Sequence, residues 1–258
     1  MKKRKELKKC ISKIFKLGVI FMLLTSMLGL AGCSGKENKK PKEAKTAEKM
    51  LKEKYNEEFV TYSVGGRWGT LTNTTFTVIC SPKDNPDLKF KAEIDKDGAY
   101  MLDEYVSRKV SAKVEKSLTK SFKDHFKDFV IKVDAGTKTI DSNKSDMSIE
   151  EFLKVNENAK FAIDIVINKD NLSGVSATDL YNTMNSMLKA IPELKGAIEI
   201  YSVTNDVLIK ANNYVKEKAS VDSEFDDLLK GSNSIFSQFK AGSLNISVEE
   251  FKGKYKGM

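Results

Sequence analysis

The segment Thr74-Thr75-Phe76-Thr77-Val78-Ile79-Cys80 sets the fold class expected for the first half of this chain. Almost all of its residues are β-branched or aromatic, the types enriched in β-strands. Successive side chains of a strand point to opposite faces, so alternate residues should face a core. We therefore predict a strand over residues 71–80, with Cys80 as a small buried side chain rather than a reactive thiol.

Two more strands are predicted beside this one, over residues 59–64 and 88–94, which have the same residue types. Turn sequences separate the three strands: Gly65-Gly66 comes before residues 71–80, and Pro82-Lys83-Asp84-Asn85-Pro86 comes after them. Strands joined by short turns pair antiparallel. We therefore expect a three-stranded antiparallel meander.

Helices are predicted on both sides of the meander. Residues 44–57 combine apolar positions at helical spacing with Lys and Glu pairs on the other face. From Leu102 onward an apolar residue recurs at every fourth position, which indicates a longer helix. A strict four-residue step drifts around a helix by about 40° each time, so this helix should curve or break near Ser121. The apolar positions are Leu102, Val106, Val110, Val114, Leu118, Phe122 and Phe126.

The second half of the chain alternates predicted strands and helices. Ser148 and Glu151 have the spacing of a capping box at the start of one helix. The order strand, helix, strand favours a split βαβ sheet that is covered on one face. The strands are predicted over residues 129–133, 161–167, 197–203 and, at an edge, 244–248; the helices over residues 148–155, 178–190 and, as amphipathic segments, through Tyr214 and over 225–229.

The N-terminus differs in composition from the rest of the chain. Residues 1–16 contain eight Lys or Arg and a single Glu, and residues 17–30 are apolar apart from Thr25, Ser26 and two Gly. The apolar segment is too short to span a bilayer as a stable helix. A basic start followed by such a segment is typical of a secretory signal peptide.

The signal segment ends in Leu30-Ala31-Gly32-Cys33, which resembles the lipobox of bacterial lipoproteins: aliphatic, small, small, cysteine. The resemblance implies that the Cys33 thiol carries a diacylglyceryl group, that the chain is cut between Gly32 and Cys33, and that the new amine is acylated, as with palmitate. Two or more acyl chains hold a protein durably at a membrane. The alternative is an uncleaved N-terminal membrane helix that ends in a chance cysteine.

These predictions define an α+β chain with a segmented organisation. Residues 1–32 are the signal peptide, and residues 33–45 form a flexible basic tether. Residues 46–127 form a module of helix, antiparallel three-stranded meander and long helix. Residues 128–258 form a second module of α/β type.

Removal of the signal peptide changes the charge balance. The full chain has 44 Lys and Arg against 36 Asp and Glu, a formal net charge of +8. Eight of these basic residues and one acidic residue lie in residues 1–32, which leaves a net charge of +1 for the mature chain. Such a balance gives no support to nucleic-acid binding.

Few residues suit a metal centre or a nucleophilic site. His125 is the one histidine in the chain, and lipidation of Cys33 leaves Cys80 as the one thiol of the mature chain. A cluster of soft metal ligands and an internal disulfide are therefore excluded. His125 lies at the end of the long predicted helix, between two phenylalanines, and is interpreted as a surface or packing residue.

Asp95, Asp97 and Glu104 partly match a calcium-binding loop, with Gly98 at the usual position. The pattern starts one ligand short, and the segment is better interpreted as a turn between a strand and a helix. We accordingly predict no catalytic residue, no cofactor and no metal site.

The predicted hairpin tip Gly65-Gly66-Arg67-Trp68-Gly69 holds the one tryptophan of the chain beside an arginine. Both residue types are enriched among the anchors of protein interfaces. Arg67 and Trp68 are therefore candidate contacts for a partner. The alternative is that Trp68 folds back and caps the edge of the sheet.

The sequence as a whole favours a non-enzymatic binding or accessory module for a protein or peptide partner. It would be held on the extracytoplasmic face of the cell membrane by acylated Cys33. In general style it resembles small surface lipoproteins of Gram-positive bacteria with unassigned roles. Two alternatives stay open: a solute-binding lipoprotein of a transporter, which usually needs two α/β lobes, and a wall- or peptide-directed hydrolase, which needs a polar cleft at His125 or a carboxylate pair.

Overall fold

The computed structural model describes residues 40–65, 74–136, 143–219 and 223–256. Contacts divide the chain between Pro41 and Lys42, and residues 42–258 form one compact unit. This unit belongs to the α+β class, as predicted. Cys33 and the predicted hairpin tip with Arg67 and Trp68 lie outside the described residues.

The first half of the unit contains a four-stranded antiparallel sheet with the strand order β1-β2-β3-β4. Phe76, Val78 and Cys80 of β2 are buried, which confirms the alternation predicted for this strand. Cys80 has no solvent exposure and packs in the core. The elements are α1 (Lys42–Tyr55), β1 (Phe59–Gly65), β2 (Thr75–Pro82), β3 (Phe90–Asp95) and β4 (Met101–Asp103).

The predicted three-stranded meander is wrong in one respect, because β4 adds a fourth strand. β4 pairs with residues 92–94 of β3. The turn that contains Gly98, at φ +70°, joins these two strands and not a strand to a helix as predicted. A strand of three residues is too short to show an alternating pattern, so the sequence assigns Leu102 to the helical stripe instead.

The second half contains a five-stranded mixed sheet with the order β5-β6-β7-β8-β9. Most predicted elements of this half are confirmed to within a few residues, and Ser148 and Glu151 do form a capping box. The strands are β5 (Phe129–Asp134), β6 (Phe161–Asn168), β7 (Lys195–Val203), β8 (Asn233–Lys240) and β9 (Ser243–Leu244). The helices are α3 (Ile149–Val155), α4 (Ala177–Lys189), α5 (Asn205–Glu217), α6 (Ser223–Leu229) and α7 (Val248–Tyr255), and a 3₁₀ turn covers Lys169–Leu172.

The predicted split βαβ arrangement is wrong, because β6 and β7 are parallel and pair directly with each other. Gly196 allows their close approach: a Cβ atom at this position would lie 1.8 Å from the carbonyl oxygen of Phe161. Any other residue would clash with the backbone of β6. Glycine is therefore required at this position.

Helices cover both faces of the second sheet, and not one face as predicted. On the inner face, Ile163, Ile165, Ile198 and Ile200 join the main core. On the outer face, α5 and α6 pack against one end of the sheet only. The strand residues in this second cluster are Val130, Val166 and Val203.

The prediction for the C-terminal segment is only partly confirmed. β8 is absent from the sequence prediction, because its buried positions include Ser237 and one of its exposed positions is Phe236. Of the predicted strand 244–248, only Leu244 belongs to a strand. A capping box of Ser247 and Glu250 starts α7 at this point and ends the extended segment.

The long helix of the first half is α2 (Tyr105–Phe122), which contacts β3 of the first sheet and β5 of the second. It ends at the predicted break, one residue after Ser121. One continuous core includes this helix and residues of both sheets. The buried stripe of α2 comprises Val106, Val110, Val114, Leu118 and Phe122.

Candidate functional site

Val133 lies on the free edge of the second sheet, where β5 is the terminal strand of the described sheet order. Its N–H donates to Glu115 Oε1 at 2.9 Å, and its carbonyl oxygen accepts from Arg108 Nη1 at 3.1 Å. Arg108 and Glu115 also make a bidentate ion pair, with Nη1–Oε1 at 2.9 Å and Nη2–Oε2 at 3.0 Å. We call Arg108 and Glu115 the edge clamp, because they occupy backbone groups that another strand would otherwise bind.

The position of the edge clamp follows from the geometry of α2. Residues seven apart lie on nearly the same helix face, because two turns take about 7.2 residues. Arg108 and Glu115 therefore both reach the edge of β5, and their side chains are only 13% and 18% exposed. A bidentate, charge-assisted pair of this kind is held more firmly than an exposed ion pair.

The edge clamp closes only part of the β5 edge. Outward-facing backbone groups alternate along an antiparallel strand, so the groups of Phe129 and Ile131 share the orientation of Val133. The bond from the Asn168 N–H to the Asp128 carbonyl confirms this alternation, since it places the even-numbered residues toward β6. Among the described residues, no hydrogen bond reaches the N–H or the carbonyl of Ile131.

A groove of about 930 Å³ lies beside this open part of the edge, between α2 and β5. Its rim is basic: Lys116, Lys120 and Lys123 are exposed, and none of them forms an ion pair with a described carboxylate. Two carboxylates also line the groove, Asp124 and the Glu115 of the edge clamp. We call this surface the α2–β5 groove.

Lys132 is a buried cation directly behind the groove. Its side chain is 4% exposed, and its Nζ lies 3.9 Å from Glu115 Oε1. Among the described residues Nζ has no hydrogen-bond partner. Burial, with a contribution from Arg108, lowers the pKa of the Lys132 ammonium to about 8.

Two carboxylates lie beside Lys132 on the outer face of the sheet, and the three side chains form a row across neighbouring strands. Lys132 pairs in register with Asp164, and Asp164 pairs with Glu199 on the next strand. Burial raises the pKa of the Asp164 carboxyl to about 7, and the negative charges of Glu199, Asp226 and Asp134 add to the shift. Asp164 can therefore hold or release a proton near neutral pH.

Neighbouring side chains complete the surroundings of Glu199. Ser234 Oγ donates to Glu199 Oε1 at 2.8 Å. Burial and the charge of Glu199 raise the pKa of the Tyr201 hydroxyl. Phe236, the register partner of Glu199 on β8, is 49% exposed. The row thus combines ionisable and aromatic groups on one partly open face.

The residues singled out from the sequence do not meet at this site. Arg67, Trp68 and Cys33 lie outside the described residues. His125 is exposed in the turn after α2, where its N–H donates to the Phe122 carbonyl at 3.0 Å. Cys80 is buried in the first half of the unit, with Sγ 3.4 Å from Thr61 Oγ1.

The segment that resembles a calcium loop forms a tight hairpin turn. The Gly98 N–H donates to the Asp95 carbonyl at 2.9 Å, and the Asp97 N–H lies 3.4 Å from Asp95 Oδ2. In the described part of the chain, no cluster of three or more His, Cys, Asp or Glu residues could hold a metal ion. No described helix is both long enough and apolar enough to cross a membrane.

Sequence reasoning missed the residues that form this site, although two of them leave a signal. Lys132 and Asp164 each interrupt an otherwise apolar strand, and a charge at such a position is unusual unless it is paired or functional. Arg108 and Glu115 carry only their seven-residue spacing. Their role depends on where β5 packs, which the spacing does not reveal.

The chain was compared with known proteins. No protein-family model matches it, and no curated protein matches it. A solved structure does match, that of a DUF5037 family protein from Ruminococcus gnavus, with a TM-score of 0.64 and 17% identity. The match covers 83% of this chain and 99% of that one. At this identity the likeness concerns the fold alone.

Proposed function

We propose that this chain is a lipoprotein, anchored by Cys33 to the extracytoplasmic face of the cell membrane, which acts as a non-enzymatic binding module. A protein or peptide partner docks in the α2–β5 groove. One observation carries the proposal: a strand edge with open backbone groups at Ile131 lies in a groove with three exposed lysines, Lys116, Lys120 and Lys123, that have no described ionic partner. Open strand edges are a recurrent docking surface for polypeptides.

Lipid anchoring has its own support and its own test. It rests on Leu30-Ala31-Gly32-Cys33 at the end of a signal-like segment. Cells fed an alkyne-tagged fatty acid should label the wild-type protein, and Cys33→Ala should abolish the label, with Cys10→Ala as the matched control. Labelling that survives Cys33→Ala would contradict the proposal.

Docking in the groove can be tested by photocrosslinking in living cells. A photoreactive residue at Thr119, which lines the groove, should capture a defined protein. The same residue at Lys252, exposed on α7, is the control and should not capture it. Lys120→Glu in the Thr119 variant should remove the crosslink. The same products from both positions would refute docking at the groove.

The predicted contacts Arg67 and Trp68 enter the same experiment. Trp68→Ala, combined with the photoreactive residue at Thr119, reports whether the hairpin tip contributes to the same complex. We expect a weaker crosslink, because Trp and Arg commonly anchor interfaces. An unchanged yield would remove these two residues from the docking surface.

A second candidate function, a wall- or peptide-directed hydrolase, is favoured by one observation. Asp164 and Glu199 are neighbours in register, and the raised pKa of Asp164 keeps a proton available near neutral pH. Pairs of carboxyl groups of which one holds a proton near neutral pH are used as general acid and base. Purified full-length protein should then degrade peptidoglycan or casein, and Asp164→Asn should stop it. Equal rates for both proteins would eliminate this candidate.

A further inference from the structure

We infer that the occupant of the α2–β5 groove is an acidic, extended polypeptide segment that adds to β5 as a further strand. The inference rests on the proposed docking surface and specifies the chemistry of the partner. It combines three features of the groove: open backbone groups on β5, a fixed stop at the edge clamp and a row of lysines on α2.

The open backbone groups supply the hydrogen bonds. Each residue of a strand carries one N–H and one carbonyl. Phe129 and Ile131 both face the free edge, so together they offer two donors and two acceptors to an incoming strand. Backbone bonds of this kind give affinity independent of sequence, and side chains supply selectivity.

The edge clamp limits the length of the added strand. Val133 is the next outward-facing residue, and its N–H and carbonyl are already bonded to Glu115 and Arg108. Edge strands are commonly protected against unwanted pairing by charged side chains. Here the protection covers one position and leaves the preceding two open. An incoming strand must therefore stop before Val133.

The lysines define the charge of the segment. Lys116 and Lys120 on α2, and Lys123 directly after its last residue, follow one another along the side that lines the groove. At 1.5 Å per residue they span roughly 10 Å of helix, while every second residue of a strand advances about 6.6 Å. Two alternate side chains of an added strand thus fall within the length of the lysine row. Carboxylates at these positions complement the charge, and lysines would be repelled.

Other polyanions could be attracted by the lysines alone. An anionic lipid surface or a polyphosphate chain has no peptide backbone, so it would leave the edge of β5 unpaired. Strand addition therefore differs from nonspecific anion binding in requiring the backbone of the ligand. This requirement can be tested directly.

The experiment uses the purified full chain and three labelled probes, with binding followed by fluorescence anisotropy. The first probe is an acetylated and amidated peptide of four Glu-Val repeats, and the second has four Lys-Val repeats. The third probe is the first peptide with N-methyl groups on every second amide. It is prepared in two versions, with the methyl groups on the Glu amides in one and on the Val amides in the other. We expect saturable binding of the Glu-Val peptide. Binding should be lost for the methylated version whose N-methyl groups replace the amide protons that face β5. The Lys-Val peptide should bind about tenfold more weakly or not at all.

Variants of the protein test the same two contacts from the other side. Ile131→Pro removes the edge N–H, and proline is tolerated where that group points away from the sheet. It should abolish binding, while Ile131→Val retains it. Lys116→Glu with Lys120→Glu should weaken binding about tenfold or more, whereas Lys252→Glu should not. If Ile131→Pro fails to fold by circular dichroism, the methylated peptides provide the same test.

The outcomes separate this inference from the proposed function. Strand addition is overturned if the Glu-Val peptide does not bind, or if both methylated versions bind equally well. If the photoreactive residue at Thr119 still captures a partner in cells after such a result, docking at the groove is retained and only strand addition is rejected. If the peptides bind as expected but Thr119 captures nothing, strand addition stands and the proposed cellular function falls.

Discussion

The two halves of the molecule each bury a charged side chain, and the two side chains differ in how many hydrogen-bond partners they have. Asp103, in the first half, has a side chain with no solvent exposure and several partners. Its oxygens accept from Lys54 Nζ at 2.8 Å, from the Tyr55 hydroxyl at 2.7 Å and from the Tyr105 N–H at 3.1 Å. Lys132, in the second half, is equally buried and has no described hydrogen-bond partner.

The difference separates a structural charge from one that costs stability. A buried charge is tolerated when hydrogen bonds replace the lost water, and Asp103 meets this condition. Lys132 does not meet it, and its pKa is lowered accordingly. It also lies against the edge clamp, next to the surface where we place a partner. Proteins accept such local costs mainly at functional positions.

The largest effect is expected from Asp103→Ala. Removing this carboxylate leaves the half-buried Lys54 ammonium and the buried Tyr55 hydroxyl without their acceptor. We expect the free energy of unfolding to fall by about 3–5 kcal/mol, measured by urea denaturation. Asp87→Ala, at an exposed position, is the control and should change stability by less than about 0.5 kcal/mol. Similar values for the two variants would show that the Asp103 network is not structural.

The pH dependence of stability should reveal Asp164. Its pKa is raised in the folded state, so the folded protein binds more protons than the unfolded chain between about pH 4 and pH 7. Stability should therefore fall as the pH rises through this window and level off above pH 7. A change in pKa from 3.8 to about 7 corresponds to about 4 kcal/mol at most.

Asp164→Asn provides the matched comparison for this pH effect. The amide does not titrate, so the variant should gain stability relative to the wild type as the pH rises from 4 to 8. The groups that share the environment of Asp164, namely Glu199, Asp226, Asp134 and Lys132, stay in place in both proteins. Parallel stability curves for the two proteins would show that Asp164 titrates normally.

Replacing Lys132 should change the free energy of unfolding by less than Asp103→Ala does, and in the opposite direction. Lys132→Met keeps the length of the side chain and removes a buried ammonium that has no described hydrogen-bond partner. We expect the unfolding free energy to stay unchanged or to rise by about 1–2 kcal/mol. Lys160→Met, at an exposed position, controls for the change of residue type. A loss above about 1 kcal/mol would mean that Lys132 is well paired after all.

The smallest effect is expected at the capping box of α3. Ser148 Oγ accepts from the Glu151 N–H at 3.1 Å, and Ser148→Ala removes this bond. We expect a loss of about 1 kcal/mol in thermal or urea unfolding. Ser148→Asp should restore most of it, since Asp is also a good N-cap. Equal losses for Ala and Asp would point to a role other than capping.

The fold was predictable where the pattern is local and long enough to recognise. The alternation of β2, the apolar stripe of α2 and the Ser148–Glu151 cap are all visible in neighbouring residues. β4 has only three residues, and β8 buries Ser237 among its apolar positions, so both lack a clear signal. The close approach of β6 and β7 at Gly196 is not visible in the sequence either, because the need for glycine appears only when Phe161 lies beside it.

The candidate site was less predictable than the fold, for the same reason. Arg108, Glu115 and Ile131 come from separate parts of the chain, and they form a site only because α2 packs against β5. The charges of Lys132 and Asp164 within apolar strands were the one local sign. The predicted contacts Arg67 and Trp68 remain a prediction, since they lie outside the described residues.

Amide hydrogen exchange along β5, measured by NMR on the full chain without ligand, tests most directly whether the edge is closed at Val133 and open at Ile131. We predict slow exchange at Lys132, which bonds to β6, slow exchange at Val133, which the edge clamp holds, and fast exchange at Ile131. Glu115→Ala should accelerate hydrogen exchange at the Val133 amide and at no other amide of β5. Exchange at Ile131 as slow as at Lys132 would mean that this edge is already occupied, and would contradict strand addition in the α2–β5 groove.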